Sequence, residues 1–308
     1  MREAMIRTVL AAHDGSAVAD VVLPAAALMA RLFSAPVVVV RVLETMRPFY
    51  DPVRGEVVWL SADEPRLELP AEVLLAEQRD ALARSGVTPQ TVVRLGSAVE
   101  ELVAEVQRWP DPLLVLASHG RGGLGRAVLG SVADRVVRAG ACPVLVVRAG
   151  GASLERLTHL LVPLDGSPAA ERALPYAVTL AQKAGACLTL VRVAETHREL
   201  LVEFRGRRLA PEVTERMAGL EREASAYLDS VRARLPRDVV ARTLLVSGDP
   251  RRQLVTLVER ERPDLVVLTT HGHGAVQRWL IGSVTERLLT TTRVPLLVVP
   301  ASRELVSP

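Results

Sequence analysis

One glycine-bearing stretch occurs twice in this chain. Ala117-Ser-His119-Gly120 closes an apolar run, and Gly130-Ser131-Val132 follows with nine residues between the two glycines. Thr269-Thr-His271-Gly272 and Gly282-Ser283-Val284 repeat the arrangement at the same spacing. A helical pattern follows each Gly-Ser pair. The first turn of a helix carries backbone N–H groups with no partner inside the helix, and its dipole favours an anion there. Glycine lets the backbone approach such an anion without a Cβ in the way. The chemistry that fits is capture of a phosphate by backbone donors. One charge at a helix start gains about 0.3–1 kcal/mol, so several donors must act together. Ser131-Val-Ala-Asp134 and Ser283-Val-Thr-Glu286 also fit a capping box, which needs no ligand. From these residues alone both readings stand.

Two carboxylates share the duplication. Asp14-Gly15-Ser16 and Asp165-Gly166-Ser167 each end an apolar run. Such an Asp can accept hydrogen bonds from a sugar hydroxyl, or it can serve a turn that enters a helix. His119 and His271 hold equivalent loop positions, where each can contact phosphate or hydrogen-bond within the loop. His271-x-His273 lacks Cys, Asp or Glu at ligand spacing, so no metal site is expected. Arg121 and Arg126 are candidate phosphate partners or solvated loop residues. Gly-x-x-x-x-Gly-Lys-Ser/Thr is absent, and neither loop contains Lys. No triad, nucleophile elbow or clear water-activating base is visible. The expected activity is binding, with at most slow hydrolysis.

The elements that must position these residues alternate in type. Ile6 to His13, Pro36 to Leu43, Thr91 to Leu95, Leu113 to Ala117 and Pro143 to Arg148 read as strands. Helices are expected from Ser16 to about Phe33, Pro70 to Ser85, Ser97 to about Arg108, and Val132 to Arg138. Glu44 to Leu69, with three prolines and three aromatics, reads as irregular. The second half repeats the series. Leu160 to Leu164, Cys187 to Val193, Asp264 to Leu268 and Pro295 to Val299 are strands, and Pro168 opens a helix to about Lys183. Ser247-Gly248 answers Leu95-Gly96. A tandem duplication follows, with domains at 1–149 and 156–302. Alternating strands and helices imply βαβ units around a parallel sheet, buried on both faces.

Composition agrees. The 308 residues suit about two domains, 49% are hydrophobic, and aromatics are only 3%, so Val, Leu, Ala and Ile must build the core. The net charge is +3 and Lys183 is the single Lys; no run of like charge suggests a nucleic-acid face. Cys142 and Cys187 read as two buried, unjoined thiols, as a reducing cytoplasm implies. Charges near Met1 interrupt any signal-peptide core, and Arg31 and Pro36 divide the most apolar stretch, so no membrane association is expected.

On these motifs each half resembles a universal stress protein domain. The shared features are an apolar strand ending in Asp-Gly-Ser, a second strand ending in Arg-Val-Leu-Glu or Arg-Val-Ala-Glu, the paired-glycine loop, and a closing Pro-Val-Leu-Val-Val or Pro-Leu-Leu-Val-Val strand. The resemblance implies an α/β fold of two tandem Rossmann-like (adenine nucleotide α-hydrolase-like) domains. Each would hold a five-stranded parallel sheet in the order 3-2-1-4-5, with helices on both faces. The first and fourth strands then flank a topological switch point, where open α/β sheets take ligands. By resemblance the ligand is ATP, with Mg2+ as its companion, or a related adenine nucleotide. Its base and ribose would meet Ala12, Asp14 and Val42 in one half, and Pro163, Asp165 and Val193 in the other. Its phosphates would meet Gly120, Gly130, Ser131 and Val132, or Gly272, Gly282, Ser283 and Val284. The first motif glycine of the family is Ala117 here and Thr269 in the second copy. If that position needs positive φ, a side chain there costs about 1–2 kcal/mol in either copy. Thr is larger than Ala and would crowd a sugar more, and Arg121-Gly-Gly-Leu-Gly carries more glycine than His273-Gly-Ala-Val-Gln; both favour the first half as the better site. Val144–Val147 and Leu296–Val299, the two fifth strands, would pair to make an internal pseudo-dimer, with a homodimer as a further assembly. The expected role is a non-catalytic, cytoplasmic stress-response protein. A ligand-free scaffold of the same fold and a slow ATPase are the rivals.

Overall fold

The computed structural model describes residues 4–44, 47–51, 56–60, 70–118, 129–148, 150–151, 153–195, 211–270 and 281–301. The first half contains β1 (Thr8–Ala12), a 3-10 turn (Ala19–Val21), α1 (Val22–Phe33), β2 (Val37–Leu43), β3 (Arg47–Asp51) and β4 (Glu56–Leu60). It continues with α2 (Ala71–Leu74), α3 (Ala76–Arg84), β5 (Gln90–Leu95), α4 (Ala98–Val106), β6 (Pro112–Ala117), α5 (Ser131–Ala139) and β7 (Val144–Val147). The second half contains β8 (His159–Pro163), α6 (Pro168–Glu171), α7 (Ala173–Ala184), β9 (Cys187–Ala194), α8 (Pro211–Ala233) and β10 (Ala241–Ser247). It ends with α9 (Pro250–Glu261), β11 (Leu265–Thr269), α10 (Ser283–Thr291) and β12 (Leu296–Val299).

Ten strands form one sheet in the order β10-β9-β8-β11-β12-β7-β6-β1-β2-β5. Within each half the order is 3-2-1-4-5 and the pairing is parallel. The halves join where β12 meets β7 antiparallel, with Leu297 opposite Leu145. Alternation along the Val/Leu strands sends side chains to two cores. Val37 and Val39 enter the one under α1, α3, α7 and α8. Val38 and Val40 enter the one under α4, α5, α9 and α10. Both cores run through both halves. Across the seam the Ala4 N–H donates to Thr179 Oγ1 at 3.2 Å, and the Lys183 ammonium lies 5.4 Å from the Phe33 ring centroid.

Four local expectations change. The stretch taken as irregular contains an antiparallel pair, with Phe49 opposite Val58 and Tyr50 opposite Val57. Its aromatic and β-branched residues favour that pairing over an open loop. The helix expected from Pro70 to Ser85 breaks at Leu75 (φ −117°, ψ 15°), which is fully buried. Ser97 stands at the cap of α4 without a side-chain cap bond. The 23-residue α8 was not anticipated, although Pro211 opens it and apolar residues recur at Leu220, Ala224, Leu228 and Val231.

Candidate functional site

In each half the Asp-Gly-Ser turn follows the first strand and is built the same way. Asp14 Oδ1 accepts from the Ser16 N–H at 2.9 Å and from Ser16 Oγ at 2.6 Å; Asp165 Oδ1 accepts from Ser167 at the same distances. Ser16 Oγ then accepts from the Ala19 N–H at 3.3 Å, and Ser167 Oγ from the Ala170 N–H at 3.1 Å. The turn reading and the ligand reading of the Asp are therefore compatible. The bonds to Oδ1 fix one rotamer at the carboxyl end of the strand, beside the switch point.

Two features favour glycine in this turn. Gly15 has φ +80° and Gly166 has φ +87°, the left-handed region that side chains rarely adopt. A Cβ on Gly15 would also lie 2.6 Å from Arg41 Nη2, and one on Gly166 would lie 3.0 Å from Arg192 Nη1. Arg41 and Arg192, aligned in the sequence, thus cover the same turn in both copies. Gly86 provides a control: its φ is +77° and nothing stands within 4 Å of its Cβ position. Gly86→Ala should cost about 1–2 kcal/mol from backbone strain alone. Gly15→Ala should cost about 2–4 kcal/mol, because crowding adds to that strain. Urea unfolding of the two variants measures the difference; equal losses would show that the Arg41 contact is irrelevant.

The first-half turn has one feature with no counterpart in the second. His13 is buried; its Nδ1 accepts from the Gly15 N–H at 3.0 Å, so Nε2 carries the proton toward Asp20 Oδ1 at 2.9 Å. Burial holds its pKa below the ordinary imidazole value, against the pull of Asp20. Leu164 occupies this position in the second half.

The Gly-Ser pairs open α5 and α10, but not as capping boxes. Gly130 and Gly282 are the cap residues, in extended conformation, and Ser131 and Ser283 are the first helical residues without side-chain cap bonds. Asp134 turns toward Arg138, whose Nε donates at 2.8 and 3.0 Å, instead of back to the cap. The Gly130 N–H donates to Ser118 O at 2.6 Å and the Gly282 N–H to Thr270 O at 2.7 Å, so each loop returns to the strand it left. Ser131 and Ser283 are exposed at the resulting helix starts.

In the second half these parts meet in one cavity of about 370 Å³. Pro163, Asp165, Val193, Thr269, Gly282, Ser283 and Val284 all line it. It runs from the start of α10, across the ends of β11 and β8, to the end of β9. Sequence reasoning missed the wall supplied by α8: Leu220, Glu223 and Ala224 line the cavity, with Arg192 and Glu195 from the end of β9. A polar cluster bolts α8 in place. The Arg192 guanidinium sits 4.7 Å from the Tyr227 ring centroid, Tyr227 Oη donates to Glu171 Oε1 at 3.0 Å, and Arg234 grips both Glu171 oxygens at 2.9 and 3.0 Å. Arg234 holds the Glu171 carboxyl below its usual range, while burial pushes the Tyr227 phenol up. The helical spacing of α8 was the available signal for this wall.

In the first half Ala12 ends β1, Val42 lies near the end of β2, Ala117 ends β6, and Gly130, Ser131 and Val132 begin α5, with Asp14 just past β1. The topology brings these ends to the matching switch point. His119, Gly120, His271, Gly272, Arg121, Arg126 and His273 lie outside the described residues. One expectation is overturned. Among the described residues the non-glycine positions of positive φ are Ser34, Asp111 and Arg262, so Ala117 and Thr269 carry no such strain. Both end strands in extended backbone, and Thr269 O accepts from Thr285 Oγ1 at 2.8 Å. The argument from strain therefore falls for both copies.

Two tandem Rossmann-like α/β domains, each with a helix start and an acidic turn at its switch point, define the class. A profile of the universal stress protein family matches residues 5–148 and 157–300. The chain belongs to that family. It is 29% identical over 289 residues to a universal stress protein of Mycobacterium tuberculosis, covering 92% of this chain and 94% of the relative. It is 27% identical over 303 residues to one from Mycolicibacterium smegmatis, covering 94% and 96%. A crystal structure of a universal stress protein from Archaeoglobus fulgidus superposes with a TM-score of 0.68 at 20% identity, covering 96% of this chain and 98% of that one, a likeness of fold. No helix among the described residues is long and apolar enough to cross a membrane.

Proposed function

We propose that the chain binds ATP, or a related adenine nucleotide, at the switch points of domains 1–149 and 156–302, as a regulatory protein of the cytoplasmic stress response. The observation that carries this reading is one second-half cavity shared by seven residues drawn from the sequence motifs. Its two ends differ as a nucleotide requires. The start of α10 offers first-turn backbone donors that have no partner inside the helix, and a positive dipole end, to phosphates. The far end offers Val193, Ala194, Pro250 and Leu254 to a flat base, with the Asp165 carboxylate between them for a ribose hydroxyl. A volume of about 370 Å³ lies within the range of small-molecule sites. Among the described residues no group of three or more His, Cys, Asp or Glu forms a metal site, so Mg2+ would enter with the triphosphate. The residues fit retention better than turnover, and occupancy, sensed within the internal pair or a homodimer of it, is the output.

Calorimetric titration with ATP tests the reading. Saturable binding is expected, and Asp165→Ala should weaken it about tenfold, the scale of losing hydrogen bonds to a charged group. No heat at millimolar ATP, together with no nucleotide released from the purified and denatured chain, would sink the proposal.

A further inference from the structure

The two phosphate-facing helices end differently. α5 finishes at Gly140, whose φ of 59° gives an ordinary left-handed C-terminal cap. α10 has no glycine there: Thr292 follows it in extended conformation, at φ −83° and ψ 153°. Its last carbonyls must find other partners. Arg148, which follows β7 in the other half of the chain, supplies them. Its Nη1 donates to Thr290 O and to Thr292 O, both at 3.0 Å, and its Nη2 donates to Thr290 O at 2.8 Å. The residue is only 9% exposed. Pro300 follows β12 in the corresponding place and has no donor to return to α5.

We propose that Arg148 is a positioning residue for the second crevice: it caps α10 from across the seam and holds the opposite end of that helix where phosphates bind. This rests on the nucleotide reading above. The N-terminal end of α10 is tied to its own strand, by the Gly282 N–H to Thr270 O at 2.7 Å and by Thr285 Oγ1 to Thr269 O at 2.8 Å. The C-terminal end is tied to the first half. The helix is nine residues long, so a shift at one end is carried to the other as a rigid tilt. The cation also complements the negative end of the dipole whose positive end faces the ligand. The link reaches the first crevice as well. The Ser118 N–H, at the start of the first glycine-rich loop, donates at 2.8 Å to Val147 O, the residue before Arg148. Two consecutive residues, Val147 and Arg148, thus touch the strand end of the first crevice and the helix of the second.

The test uses the full chain and its Arg148→Ala and Arg148→Lys variants, in a background where Ser131→Asp blocks anion binding at the first crevice. ATP and adenosine are titrated separately. Arg148→Ala should weaken ATP about fivefold and leave adenosine within about twofold, since only the phosphates meet α10. Arg148→Lys keeps the charge without the fork and should recover part of the loss. Hydrogen exchange of the nucleotide-free variants gives a second arm. Exchange along α10 should quicken at least about tenfold in Arg148→Ala, with α5 unchanged. Equal losses for ATP and adenosine, or unchanged affinity with unchanged exchange, would overturn the proposal. A wild-type chain that binds no ATP removes the nucleotide reading instead, and the exchange comparison still decides whether Arg148 holds α10.

Discussion

Ser283→Asp should make the protein slightly more stable and nearly abolish ATP binding at the second crevice. Ser283 is the first residue of α10, is exposed, and lines the cavity. A carboxylate there satisfies the dipole and the unpaired N–H groups, which stabilises the empty protein by about 0.3–1 kcal/mol. The same carboxylate then occupies the place of the phosphates. Two like charges about 4 Å apart at an effective dielectric near 20 repel by about 4 kcal/mol, so a loss of about 100-fold or more in affinity is expected. Ser283→Ala keeps the backbone donors and should change affinity less than about threefold. Thermal unfolding without ligand, and calorimetry with ATP in the Ser131→Asp background that blocks the first crevice, read the two effects separately. Their opposite signs matter: a variant that lost affinity through damage to the fold would lose stability too. ATP binding by Ser283→Asp at wild-type strength would show that phosphates do not sit at α10.

The sequence made the duplicated scaffold legible because its signals are local and strong. Val37–Val40 reads as a strand covered on both faces, and the paired Asp-Gly-Ser and Gly-Ser motifs mark strand ends and helix starts. The strand order came from family resemblance and puts Asp165 and Gly282 on one crevice, where the structure has them. Details that depend on tertiary partners were hidden. Asp134 and Glu286 looked like capping-box partners, yet Asp134 is drawn to Arg138, which is also 3.8 Å from Glu286 across the seam. Thr269 looked like a strained replacement for glycine, but strain depends on φ, which the residue name does not disclose. The α8 wall had a readable helical period, but its contribution to the cavity depends on how Tyr227, Glu171 and Arg192 hold it against β9. The second crevice therefore has a wall from α8 that its sequence motifs do not announce.

Leu145→Asp should destabilise both halves together. Leu145 is fully buried at the centre of β7, opposite Leu297 on β12, and both belong to the core that also contains Leu160 and Leu180. An Asp at this point brings a carboxylate into an apolar environment, a class of change that costs about 4 kcal/mol or more. Because the sheet and both cores are continuous through the seam, the loss cannot be confined to residues 4–148. Wild type should unfold in one transition, and Leu145→Asp should lower its midpoint as a whole or prevent soluble folding. Leu145→Val separates packing from charge: it keeps an apolar strand former and should cost only about 1 kcal/mol. The measurement is urea unfolding followed by two probes: tryptophan emission from Trp109 in the first half, with Trp59 and Trp279 replaced by Phe so that it alone emits, and hydrogen exchange along β9 in the second. Coincident midpoints that fall together in the variants are expected. If the β9 midpoint stays fixed while the Trp109 midpoint falls, the halves are independent domains that merely touch.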